Sequence, residues 1–315
     1  MQTAASQQAR TLLAAVLAEV RKAVVGKDLV LTKVMAAFLA GGHVLMEDMP
    51  GVGKTTLAIA FSKALGLSCR RVQFTPDVMP SDLTGFSMYE KQSGKFVFQP
   101  GALFCNLLLA DEINRTSSKT QAALLEAMEE GNVTVEGKTY PLPKPHLVIA
   151  TQNPLGCAGT QSLPESQMDR FLIRLHMDYP QLKEEVAILR GKAMQNPLNA
   201  VRPVITAEQL MALQQKTAEI YVDDRLYYYV ASIAKATREH PQIILGVSPR
   251  GTLALISCAK AMALLRGRDY LLPDDIAPLC QDVLAHRMCM RSGASAEQVL
   301  SEILQKVPVP TPERR

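Results

Sequence analysis

No run of apolar residues in this 315-residue sequence approaches the roughly 20 that a helix needs to cross a bilayer, so nothing in it reads as a membrane span. The N-terminal stretch lacks a basic segment followed by an apolar core and a small-residue cleavage site. A secretory leader is therefore not expected, and cytoplasm is the default localisation. Six cysteines are present (Cys69, Cys105, Cys157, Cys258, Cys280 and Cys289), but no Cys-x-x-Cys pair and no accompanying histidine cluster. Most lie in apolar surroundings, where a thiol behaves as a small hydrophobe, so they read as reduced structural residues and not as a metal site. The charge excess is only +4 and basic residues are scattered, which is too mild to argue for nucleic acid by electrostatics alone. No internal repeat is found.

What is there is ordinary globular material, 48% hydrophobic and 20% charged, in a length that suits two domains. Residues 10–24 carry Leu13, Val16, Leu17 and Val20 on one helical face. A second helical pattern follows Gly26 and stops at Gly41-Gly42. The apolar runs His43–Glu47, Val72–Phe74, Ala102–Ala110, His146–Thr151 and Leu172–Met177 suit buried parallel strands. Helices are expected over Thr56–Leu65 and over Lys119–Glu130, the second closed by Gly131. Two hairpins are expected, Met88–Glu90 against Phe96–Phe98 around Gly94, and Val133–Tyr140 turning at Gly137. From Tyr179-Pro180 to about Gln305 the pattern is helical throughout, and the tail after Val307, through Thr311–Arg315, reads as loosely ordered. Strands alternating with helices, then helices alone, predict an α/β nucleotide-binding domain over residues 1–178 and an all-helical lid over residues 179–315.

The strand His43–Glu47 runs into Asp48-Met49-Pro50-Gly51-Val52-Gly53-Lys54-Thr55, which fits a phosphate-binding loop at every position but the first, where Asp48 replaces the usual glycine. Gly51 and Gly53 let backbone N–H groups turn toward phosphates. Lys54 supplies an ammonium to the β- and γ-phosphates, and the Thr55 hydroxyl a ligand for Mg²⁺. Pro50, Gly51, Val52, Gly53, Lys54, Thr55 and Thr56 are thus the expected contacts for ATP with Mg²⁺. The alternative is a glycine-rich turn with a chance Gly-Lys-Thr; the preceding strand and following helix argue against it.

Leu107–Ala110 is apolar and ends in Asp111-Glu112. Asp111 suits Mg²⁺ held through water, and Glu112, pointing elsewhere, suits polarising an attacking water. The alternative is a solvated acidic turn. Asn153, after the strand His146–Thr151, could orient that water, or simply form an Asn-Pro turn. Arg170 is a candidate finger for a neighbouring subunit's γ-phosphate, or the partner of Asp169 or Glu165 in a surface ion pair. Arg250 opens a helix behind Pro249, either reporting the γ-phosphate to the lid or standing solvated.

These pieces, in this order, resemble a AAA+ ATPase, a P-loop fold with a parallel sheet between helices and a small helical lid, and more narrowly the MoxR family. The resemblance runs from about Val24 to Pro310. It rests on Leu45–Thr55, in which the family also carries Asp first, on Gln73–Asp77 with Pro80–Gly85, on Ala110–Arg115, on Ala150–Pro154, on Leu163–Phe171 and on Ser248–Arg250. It implies that Lys54 and Thr55 are Walker A residues, Asp111 and Glu112 Walker B, Asn153 sensor 1, Arg170 the arginine finger and Arg250 sensor 2. Val24, Val25 and Gly26 match the segment along the adenine; Lys27 stands where relatives often carry Gln. The Met88–Phe98 hairpin matches the helix-2 insert and Val133–Tyr140 the hairpin before sensor 1, both of which face a ring's pore in similar proteins. In this branch a displaced lid lets Arg250 act on a neighbour's nucleotide. The resemblance further implies a hexamer, a chaperone-like action on protein complexes and a partner carrying a von Willebrand factor A domain. Two other functions compete with a remodelling ATPase. A nucleic-acid-dependent motor is disfavoured because the hairpins carry only Lys91, Lys95 and Lys138. A non-hydrolytic nucleotide-gated scaffold is disfavoured by Glu112.

Overall fold

The computed structural model describes residues 4–49, 51–153, 163–192 and 196–310. Pro50, Cys157 and the tail Thr311–Arg315 lie outside the described residues. Two helices, α1 (Ala4–Arg21) and α2 (Asp28–Leu39), precede β1 (Val44–Glu47) and α3 (Lys54–Ala64). Then come β2 (Cys69–Gln73), α4 (Pro80–Thr84), the hairpin of β3 (Phe86–Glu90) and β4 (Lys95–Gln99), and β5 (Leu107–Asp111). They are followed by α5 (Ser118–Glu130), the hairpin of β6 (Asn132–Val135) and β7 (Lys138–Pro141), β8 (Leu147–Gln152), α6 (Glu165–Met168) and β9 (Ile173–Leu175). The remainder holds α7 (Leu182–Lys192), α8 (Ala207–Ala218), α9 (Asp224–Glu239), β10 (Ile243–Leu245), α10 (Pro249–Leu265), α11 (Pro273–Ile276), α12 (Cys280–Leu284), β11 (Cys289–Met290) and α13 (Ala296–Lys306).

The central sheet is parallel, in the order β2-β5-β8-β1-β9. Alternate side chains on its strands enter different cores, as the two-residue period of a strand dictates. Val44, Met46, Leu107, Leu109, Leu147 and Ile149 pack with α1, α2, α3 and the lid helices; Leu45, Leu108, Ala110, Val148 and Ala150 pack under α5. Because both faces are covered, the strands read as unbroken apolar runs. Each fully buried Leu or Ile contributes about 1.5–3 kcal/mol. The lid is built around α10, which packs on α1, α2, α8 and α12, so its core is continuous with one face of the sheet. No helix among the described residues is long and apolar enough to cross a membrane.

Several boundaries differ from those expected. The first helix spans Ala4–Arg21 rather than 10–24, the helix after the loop starts at Lys54, and β2 starts at Cys69, three residues before Val72. The strand expected over Ala102–Ala110 begins only at Leu107. Ala102 and Leu103 donate instead to the Asp82 and Leu83 carbonyls at 2.9 and 3.0 Å. The Asn106 carboxamide accepts from the Ser68 hydroxyl at 2.8 Å, so the one polar residue in the run marks where the ladder starts. The lid is not wholly helical: Ile243 and Leu245 pair antiparallel with Met290 and Cys289. Gly246 allows this, since a Cβ there would stand 2.7 Å from the Arg238 Cα.

Both hairpins form where expected. They are joined by the stacked rings of Phe98 and Tyr140, 3.9 Å apart. Phe86, Met88, Tyr89 and Phe96 stand exposed on the first hairpin. Burial pushes the Cys105 thiol up to about 11 and those of Cys258 and Cys280 up to about 12, as suits inert core residues.

Candidate active site

The loop between β1 and α3 turns on Gly51 and Gly53, whose φ values of 89° and 100° suit glycine. α3 opens at Lys54, presenting its free N–H groups to the same space. Lys54 Nζ donates to the carbonyls of Asp48 at 2.8 Å and Met49 at 3.1 Å. Burial lowers the pKa of its ammonium, opposed by the charges of Asp48, Asp111 and Glu112. Asp48 itself is buried, and its carboxylate accepts the amides of Met177 at 2.7 Å and Asp178 at 3.2 Å. It therefore ties the loop to the segment that follows β9, which a glycine could not do.

A cavity of about 350 Å³ opens at this point, at the C-terminal edge of the sheet where the strand order calls for a ligand. Gly51, Gly53, Lys54, Thr55, Thr56, Asp111, Glu112 and Asn153 all line it, so the sequence-predicted phosphate and hydrolytic residues come together. Pro50 is not among the described residues. Asp111 Oδ1 accepts the Thr151 hydroxyl at 2.6 Å, and the same hydroxyl accepts the Glu112 amide at 2.9 Å. Glu112 sits at φ 58°, ψ 50°, a left-handed conformation that costs a non-glycine residue of the order of 1 kcal/mol or more. Its Oε2 accepts from Gln73 Nε2 at 2.9 Å and Arg115 Nη1 at 2.7 Å. The Asn153 carbonyl accepts from Asn114 Nδ2 at 3.3 Å. The Thr55 hydroxyl and the Asp111 carboxylate are hard oxygen donors of the kind Mg²⁺ takes, and that ion needs no more than one or two protein ligands. The donor set thus fits the metal.

A second cavity, of about 430 Å³, adjoins the first through Gly51, Gly53 and Thr56 and is lined by Val24, Val25, Val52, Met177, Tyr179 and Ile188. Its apolar walls suit a flat heterocycle. Gly26 does not line it. Its φ of 74° and its approach to Glu184, whose Cδ a Cβ would meet at 2.0 Å, give it a backbone role instead. Lys27 does line it, donating to the Tyr179 carbonyl at 3.1 Å.

Arg170 and Arg250 line neither cavity. They meet elsewhere, at the end of α5, where both pair with the Glu129 carboxylate, Arg170 at 2.9 Å. Arg170 also donates to the Leu125 carbonyl at 2.8 Å. Its ion-pair partner is thus Glu129 rather than Asp169. Asp169 is taken by Arg287, at 2.7 Å. Arg250 stands in the first turn of α10, capped by Ser248, which accepts the Gly251 amide at 3.3 Å. A cavity of about 300 Å³ beside the two arginines is also lined by His43, Asp169 and Arg287.

Sequence reasoning assigned no role to Arg71, Gln73, Arg115, Glu129 or Thr151. Arg71 fell outside the expected strand, yet β2 places it beside Leu109 and Gln73 beside Asp111. The alternation of Arg71 and Gln73 around Val72 was the available signal.

A family model described as "ATPase family associated with various cellular activities (AAA)" matches residues 43–173, and one described as "AAA lid domain" matches residues 235–307. The chain is 46% identical over 304 residues to the uncharacterized protein YeaC of Bacillus subtilis, covering 95% of each. It is 38% identical over 306 residues to the chaperone MoxR1 of Mycobacterium tuberculosis, covering 93% of this chain and 81% of that one. The crystal structure of a putative ATPase from Cytophaga hutchinsonii superposes with a TM-score of 0.90 at 36% identity, covering 97% of both chains.

Proposed function

Because the chain belongs to the MoxR family of AAA+ ATPases, we propose that it hydrolyses ATP with Mg²⁺ in an oligomeric ring and uses the cycle for chaperone-like remodelling of protein complexes. The observation that carries this reading is Glu112 beside Asp111 in one cavity with Lys54, Thr55 and Asn153. A pocket that only bound nucleotide would need no second carboxylate beside the metal ligand.

In this reading Lys54 and the loop amides neutralise the phosphates, while Thr55 and Asp111 hold Mg²⁺, which supplies charge stabilisation at the phosphoryl oxygens when bound. Glu112 accepts the proton of the attacking water and Asn153 orients that water. Arg170 and Arg250 complete the site of a neighbouring subunit. Their shared position on Glu129, away from their own phosphate cavity, supports action in trans for both. We take the ring to be a hexamer that works with a partner carrying a von Willebrand factor A domain. The exposed aromatic hairpin, with Tyr89 and Phe96 edge to face at 5.5 Å, suits contact with a polypeptide better than with a phosphate backbone.

The test is Glu112→Gln. ATP binding should persist while steady-state phosphate release stops, by a factor of about 10²–10⁴. Turnover at the wild-type rate in that variant would remove Glu112 from the chemistry.

A further inference from the structure

Arg71 has no part in the mechanism above, yet among the described residues it is, with Lys54, one of two basic side chains lining the phosphate cavity. It stands on β2 two residues before Gln73, so the two share a strand face. Its guanidinium gives Nε and Nη2 to Asp111 Oδ2, at 3.2 and 2.7 Å, and Nη2 also reaches Gln73 Oε1 at 2.9 Å. That contact turns the carboxamide so that Gln73 Nε2 faces Glu112 Oε2 at 2.9 Å. One chain of contacts therefore runs from Asp111 through Arg71 and Gln73 to Glu112, joining the metal-binding carboxylate to the hydrolytic one.

The two ends of the Arg71–Asp111 pair differ in freedom. The Asp111 side chain is 12% exposed and remains tied to Thr151 when Arg71 leaves, whereas Arg71 is 50% exposed. A half-exposed ion pair is held weakly. Terminal phosphate oxygens in the same cavity offer the guanidinium more charge, in a geometry that its planar fork matches.

We propose that Arg71 is a binding residue for the terminal phosphate of a nucleoside triphosphate, acting in cis, and that its move from Asp111 and Gln73 to that phosphate loosens the hold of Gln73 on Glu112. The proposal rests on the reading of this cavity as an ATP site. It makes the pocket sense a third phosphate, since a diphosphate leaves Arg71 on Asp111 and Glu112 restrained.

The experiment is a calorimetric titration of the full chain, in Mg²⁺, with ADP and with the non-hydrolysable analogue that has an imido bridge between the β- and γ-phosphates. In Arg71→Ala the triphosphate analogue should bind about 10- to 100-fold more weakly, with ADP changed less than about threefold. Arg71→Lys should recover part of the loss, and Gln73→Ala, which leaves the guanidinium in place, should weaken the triphosphate analogue far less than Arg71→Ala does. A triphosphate affinity that is unchanged or raised in Arg71→Ala overturns the proposal. So does an equal loss for ADP, or an equal loss in Gln73→Ala. Failure of the ATP-site reading would look different: the unmodified chain would bind neither nucleotide, or Lys54→Ala would bind both normally.

Discussion

Asp48 and Met177 are joined by a hydrogen bond of 2.7 Å, in which the carboxylate at the first position of the phosphate loop accepts the backbone amide two residues past the last core strand. The same carboxylate takes the Asp178 amide at 3.2 Å, and the Asp48 carbonyl accepts from Lys54 Nζ. Replacing Asp48 by Gly, which would match the more common P-loop, should therefore harm this protein. The buried Met177 amide and the partly buried Asp178 amide would lose a charged acceptor, at a cost of about 1–3 kcal/mol. Nucleotide affinity should fall with it, since loop and Lys54 are held together. Urea denaturation and an ATP titration measure the two effects. A variant that denatures at the same midpoint and binds ATP normally would show that the tether carries no weight.

Arg170 and Arg250 converge on Glu129, and neither lines the cavity that holds Lys54. If they serve a neighbour, two inactive variants can complement each other. Arg170→Ala and Glu112→Gln should each lower phosphate release by about 10³-fold alone. Mixed subunits should regain a substantial part of the activity, because some interfaces then pair an intact Glu112 with an intact Arg170. No recovery in co-assembled mixtures would place Arg170 in cis.

How far the sequence reached can be read from these residues. Lys54, Thr55, Asp111, Glu112 and Asn153 were legible because each follows a short apolar strand, and parallel strands deliver their C-terminal ends to one edge. The two hairpins were legible from Gly94 and Gly137. The β10–β11 pair was not, because two short strands separated by α10 and later helices have no local signal. Glu129 was missed for a similar reason. Nothing in α5 distinguishes its glutamates, and only the tertiary fold brings Arg170 and Arg250 to one of them. Gly26 was read as part of the segment along the adenine, yet it does not line the second cavity, and its backbone role needed the position of Glu184.

His43 is expected to make the fold acid-sensitive. It is buried between β8 and α5, its Nε2 3.0 Å from the Met128 carbonyl and its Nδ1 accepting the Val148 amide at 3.1 Å, so the ring is neutral. Burial lowers its pKa from 6.5 to about 4. Between those values the unfolded chain binds a proton that the folded one refuses. Stability is thus complete above pH 6.5, falls as pH drops toward 4 and levels off below, a loss of up to about 3 kcal/mol. His43→Asn retains an acceptor for Val148 without the titration, so its unfolding free energy should fall less across this range. Parallel slopes for the two proteins would assign the acid sensitivity to other groups.

Arg287 should be the least replaceable charged residue of the lid. Its side chain is almost fully buried, and burial lowers its pKa against the opposing pull of Asp169. It donates to Asp169 at 2.7 Å and to the carbonyls of Phe171 at 2.6 Å and Leu172 at 3.2 Å, pinning the lid to the segment that follows Arg170. A carboxylate that is only 23% exposed and two carbonyls lose a guanidinium donor together in Arg287→Met, so the expected cost is about 1–3 kcal/mol. Arg287→Lys should recover little, because one ammonium cannot span acceptors that the guanidinium reaches from separate nitrogens. Removing both charges in Arg287→Met with Asp169→Asn should cost less than the single Arg287 change, since the unpaired carboxylate is then gone. Urea denaturation of the three variants tests this. A double variant no more stable than Arg287→Met would mean that the carbonyl contacts, not the ion pair, anchor the lid.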